Sequence, residues 1–157
     1  MGTSMHDTSF EGAQSGSGAG TAGIRDQTVK GGTAVTLLRA VAVLSLLGTL
    51  LQGLTAGMFL NGDVNSIDPH QINAFVVEFL VIFQLVLAIL VWRRNRWLKW
   101  PLPWAIAILV FTLAQAALGV KGSVAAHVTL GVTLSAMEMA MVLRSFQLRV
   151  AGSTTAA

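Results

Sequence analysis

The sequence predicts an all-α protein, a four-helix transmembrane bundle with both termini cytoplasmic, and three observations predict it. Of the 157 residues, 54% are hydrophobic and 11% are charged, less than half the charged share of ordinary soluble domains. The apolar residues gather into four runs, Ala34 to Leu60, Ile72 to Trp92, Pro101 to Val120 and Val124 to Leu143. Each is long enough to cross a hydrocarbon core of ~30 Å at about 1.5 Å per helical residue. The basic residues are placed to one side. Arg25, Lys30 and Arg39 lie towards the N-terminus, Arg93, Arg94, Arg96 and Lys99 between the second and third runs, and Arg144 and Arg149 after the fourth, leaving only Lys121 elsewhere. Because short basic loops are retained in the cytoplasm, segment 93–100 and both termini are expected inside, and segments 61–71 and 121–123 outside.

The elements follow in order. Residues 1–33 are rich in Gly, Ser, Thr and Ala, with Phe10, Ile24 and Val29 the few large apolar side chains. Such a stretch cannot offset the entropy of ordering and is expected to be a disordered cytoplasmic tail. It does not read as a cleaved signal, because the apolar run starts late, is long, and ends in a polar turn. The membrane domain is expected over residues 34–146, with helices at about 34–60, 72–92, 101–120 and 124–143, followed by a short cytoplasmic tail, 147–157. Trp92, Trp97, Trp100 and Trp104 flank the basic loop, the composition of a headgroup belt. Pro101 and Pro103 fall in the first turn of the third helix, where a missing backbone N–H is tolerated.

With no cysteine, disulfides, thiolate metal sites, covalent c-type haem and a cysteine nucleophile are all excluded. The charge of +3 is accounted for by membrane orientation, so the expected partner is the lipid bilayer and not nucleic acid.

Two histidines carry the chemistry. His70 opens the second helix and His127 lies one turn into the fourth, which places both near the same surface on parallel helices of one bundle. Two neutral imidazoles on facing helices can grip a flat macrocycle from both sides, as b-type haem is held in helical bundles. Ala74 and Gly131 stand four residues after them, small positions that leave room for the porphyrin face. Lys121, six residues before His127, is placed to compensate a haem propionate. Asp68, a backbone carbonyl or water are candidate partners for the second ring nitrogens. Interfacial histidines without a ligand, and a zinc or copper site completed by Asp63 and Asp68, are the other readings of the same residues.

Two carboxylates fall within the membrane runs, Glu78 eight residues below His70 and Glu138 eleven below His127. Glu138 is expected to pair with Arg39 at similar depth, and Glu78 to stay protonated or bond Gln52 or Gln115. A proton path through both carboxylates is the functional alternative. Gln52 to Gly57 precedes His70 and Gln115 to Gly119 precedes His127, a short pseudo-repeat that would place the histidines symmetrically.

The stretch LAQAALGVKGSVAAHVTLGVTL, Leu113 to Leu134, resembles the Gln-x-x-Leu-Gly, outer loop, Ala-x-His helix pair of the haem A synthase family, and LLQGLTAGMFLNG at residues 50–62 resembles the end of that family's first helix. The resemblance spans residues 34–146 and implies one four-helix half of a two-half fold, with His70 and His127 at the ligand positions of the second and fourth helices. The layout is also similar to that of small four-helix membrane proteins of actinobacteria. The family's catalytic Glu-x-x-His has Ile67 at the acidic position here, its basic residue after the histidine is Gln71, and its external cysteine pair and second half are missing. What the resemblance implies is therefore the scaffold and one haem b site in a bacterial cytoplasmic membrane, without complete haem A synthesis. The expected function is a cytochrome b-like protein for outer-side electron transfer, haem handling or oxidase maturation. It would stand alone, as a homodimer, or in a larger respiratory or assembly complex. A cofactor-free structural or assembly subunit is the alternative.

Overall fold

The computed structural model describes residues 28–151. Four helices are long and apolar enough to cross a membrane: α1, Gly32–Leu60; α2, Ile67–Arg94; α3, Pro101–Val120; and α4, Val124–Gln147. Each packs on its sequence neighbours, and α1 and α4 close the bundle, so α2 and α4 face each other across a diagonal. The outer faces are as apolar as the inside: Phe75, Phe79, Val132 and Phe146 are all more than half exposed. This is the pattern of helices solvated by lipid.

The predicted bounds hold for α3, while α2 begins earlier and α1, α2 and α4 run past the apolar runs at their basic ends. At the start of α2, Val64–Ser66 form a 3-10 turn whose Asp63 carboxylate accepts from the Asn65 N–H at 3.1 Å. Helix α2 can then include Asp68 and Pro69, because Pro69 falls in its first turn, where a missing backbone N–H is tolerated. The basic residues Arg93, Arg94 and Arg144 occupy last turns, where cations offset the helix dipole.

The bundle has two unlike ends. At the tryptophan end the core is closed: Leu38, Val81, Val91, Ile108, Met141 and Leu148 are buried together. Arg39 donates to the carbonyls of Ser145 and Leu148 and lies 5.3 Å from the Phe146 ring centre, tying α1 to the end of α4. Arg96 stands 4.1 Å over Trp92, and Arg144 stands 5.8 and 5.4 Å from Trp100 and Trp104.

The chain flanking the bundle is ordered where a tail was expected. Thr28–Val29 (β1) and Arg149–Val150 (β2) form a parallel two-stranded pair, continued by the Ala151 N–H on the Val29 carbonyl at 3.0 Å. Val29 is fully buried. Asn95 accepts from the Lys30 N–H at 2.8 Å and donates to the Lys30 carbonyl at 3.0 Å, so the α2–α3 loop holds the same segment. Gly31, at φ 89°, makes the turn into α1, and a Cβ there would lie 2.9 Å from Arg94. The expected tail over residues 1–27 and the end of the chain from 152 lie outside the described residues.

Candidate functional site

At the other end the helices part around a cavity of about 630 Å³ lined by residues of all four, among them His70, Ala74, Glu78, Thr112, His127 and Leu134. The size is that of a site for a small organic molecule or cofactor. Polar pairing on the α1–α2 side fixes its wall. The Asn73 amide donates to the Gly48 carbonyl at 2.8 Å and to Gln52 Oε1 at 2.7 Å. Gly48 permits the close approach, since a Cβ there would meet Val77 at 2.8 Å.

The two histidines meet across the diagonal. Their ring centroids are 6.1 Å apart and their planes inclined by 65°. His127 Nδ1 lies 2.8 Å from the Gln115 carbonyl, an oxygen that can only accept, so Nδ1 is the donor of this bond. His70 Nδ1 lies 3.0 Å from Thr55 Oγ1. The single Thr55 hydroxyl proton is directed back to the carbonyls of Leu51 and Gln52 at 3.0 and 3.1 Å, which leaves Oγ1 to accept from His70 Nδ1–H. The Gln52 carbonyl is also beside this ring. The two halves of the short repeat each reach a histidine, by the Gln115 backbone carbonyl at His127 and by the Thr55 hydroxyl, three residues after Gln52, at His70.

The remaining candidates divide. Ala74 lines the cavity. Gly131 does not: its missing side chain makes room for the Gln115 amide, whose Nε2 would lie 2.9 Å from a Cβ at that position. The small residue serves packing of the Gln115 side chain, whose Oε1 is buried without a hydrogen bond. Lys121 caps the end of α3 and is exposed, lying between the cavity-lining residues Val120 and Gly122 without being one itself. Asp63 and Asp68 do not join the histidines, since among the described residues no three His, Cys, Asp or Glu side chains are grouped to hold a metal ion.

The expected pairing of Glu138 with Arg39 is replaced by two separate arrangements. Arg39 is committed to the end of α4, and Glu138, fully buried, accepts from the Gln84 amide at 3.2 Å. Glu78 lines the cavity, and the Gln52 side chain that was a candidate partner for it is taken by Asn73.

Two residues of the site were not singled out as functional in the sequence. Thr55 lies within the Gly-Leu-Thr segment of the first hairpin, but its reach to His70 depends on helix rotation. Gly119 closes the α3 end, where an added Cβ would sit 3.1 and 3.2 Å from Cε1 and Nδ1 of His127. Its signal was its place in the repeat. No protein-family model, curated protein or solved structure matches the chain.

Proposed function

We propose that this chain is an integral membrane haem b protein, cytochrome b-like, in which His70 and His127 would hold the haem iron. The single observation that carries the reading is the imidazole pair, 6.1 Å between ring centroids with each Nδ1 hydrogen-bonded. Two imidazoles sharing one metal at about 2 Å per bond, with about 1 Å more from nitrogen to ring centre, hold their centroids about 6 Å apart. An outer partner on Nδ1 is what a ligating histidine requires for tautomer and orientation. The donor set also favours a macrocycle over a bare ion. Zinc needs about four protein or water ligands, whereas a porphyrin brings its own equatorial nitrogens and asks the protein for two.

Haem, when bound, supplies one-electron redox chemistry. The chain's own residues do the rest. Thr55 and the Gln115 carbonyl accept from the Nδ1–H groups of the two imidazoles, Gly119 lets the His127 ring lie against α3, and Ala74 lines the cavity. Lys121 is the basic group at the cavity rim, suited to a propionate carboxylate. In this reading the basic tryptophan end faces the cytoplasm of a bacterial cell and the histidine end lies in the outer leaflet. One centre at that depth leaves roughly two thirds of a ~30 Å core uncrossed. The reading is accordingly of outer-side electron exchange, haem handling or oxidase maturation, and not of electron transfer across the bilayer by this chain alone.

The test is an absorption spectrum of the detergent-purified protein, oxidised and reduced, with a pyridine haemochrome assay. One b-type haem per chain is expected, with loss of the Soret band in His70→Ala and in His127→Ala. Colourless protein after expression with ample haem overturns the haem reading, and full retention in both variants overturns the ligand pair.

A further inference from the structure

Beneath the cavity floor lies a second polar group that the histidine site does not use. Leu134 lines the cavity and is 2% exposed. Glu138 follows it by four residues on the same face of α4, one turn deeper in the bundle. Glu138 and Gln84 are both fully buried, joined by the Gln84 amide N–H donating to Glu138 Oε2 at 3.2 Å. The other oxygen of each, Glu138 Oε1 and Gln84 Oε1, is buried with no hydrogen-bond partner.

Two acceptors left over on one hydrogen-bonded pair call for a donor between them. An ionised carboxylate has none to give, and an uncompensated charge at this depth is costly. A carboxylic acid and a primary amide complement each other as a closed pair, with N–H to one oxygen and O–H to the other. The charged groups on the surrounding helices do not supply the compensation instead. On α1, Arg39 is bound to the carbonyls of Ser145 and Leu148. On α2, Glu78 lines the cavity, while Arg93 and Arg94 sit in the last turn. Helix α3 has no titratable residue, and on α4 His127 belongs to the imidazole pair while Arg144 lies against Trp100 and Trp104.

We propose that Glu138 and Gln84 form a proton-binding site in the middle of the membrane domain, the proton residing on Glu138 Oε1 and donated to Gln84 Oε1. The proton comes from water in the cavity: the Oε1–H bond forms as the proton leaves a hydronium ion, and no other bond changes. Leu134 is the plug that separates the site from the cavity. This assignment does not depend on haem binding at the histidines.

Infrared spectroscopy of the full-length protein in sodium-free buffer at neutral pH tests it. The wild type should show a protonated-carboxyl C=O stretch that shifts in deuterium oxide, and Glu138→Gln should lose that band. Gln84→Glu, which places a second acid in the pair, should change its position and intensity, and Leu134→Ala should speed its deuterium shift. Absence of the band in the wild type overturns the proposal, as does its persistence in Glu138→Gln or its indifference to Gln84→Glu. A band that disappears when sodium is added would assign the unpaired oxygens to a monovalent cation and equally overturn it.

Discussion

In the proposed haem site, Nδ1 of His70 and of His127 is held by one hydroxyl and one carbonyl, leaving the other ring nitrogen to face the iron. Thr55→Val keeps the volume and removes the hydroxyl acceptor, so it is expected to weaken haem retention by roughly tenfold, the lower range for loss of such a partner, because the Gln52 carbonyl remains beside the ring. Haem titration of the apoprotein measures this, with unchanged affinity as the opposing result. Gly119→Ala forces the His127 ring to move by a few tenths of an ångström from a Cβ that would lie 3.1 Å away. The expected outcome is a folded protein with reduced haem occupancy and an altered Soret position. At this scale the sequence was partly legible. The two histidines stood out because they share depth on parallel helices, and depth follows from counting residues. Rotation about the helix axis does not, which is why Arg39 and Glu138 match in depth without meeting, and why Gly131 receives the Gln115 side chain in place of an open porphyrin face.

The helices themselves were legible because lipid imposes a length and an apolar composition on anything that crosses it. Their ends were less so. The apolar runs stop where charge begins, while the backbone continues through Arg94 and to Gln147, since a cation in a last turn suits the helix dipole. The two-residue strands Thr28–Val29 and Arg149–Val150 were not legible at all, being too short to carry a periodicity. What stabilises them is a distant side chain, Asn95, which satisfies both backbone groups of Lys30 and also donates to the Val91 carbonyl at 3.0 Å. Asn95→Ala leaves these groups without that partner and is expected to cost about 1–3 kcal/mol. Thermal unfolding in detergent should show a lower midpoint, and the haem spectrum should be unaffected because the change is at the opposite end of the bundle.

For the whole molecule, the missing cysteines make orientation measurable. Lys121→Cys and Arg96→Cys each introduce the only thiol of the chain. A membrane-impermeant thiol reagent added to intact cells should label the first and not the second, and the reverse labelling would invert the topology proposed from the basic loops. The register Thr28 to Arg149 joins a segment made before the first helix to one made after the last. During synthesis Val29 has no partner strand until all four helices have left the ribosome. The tryptophan end therefore closes only once the segment after α4 has been made, and a chain that stops short of it keeps an unpaired strand edge at that end.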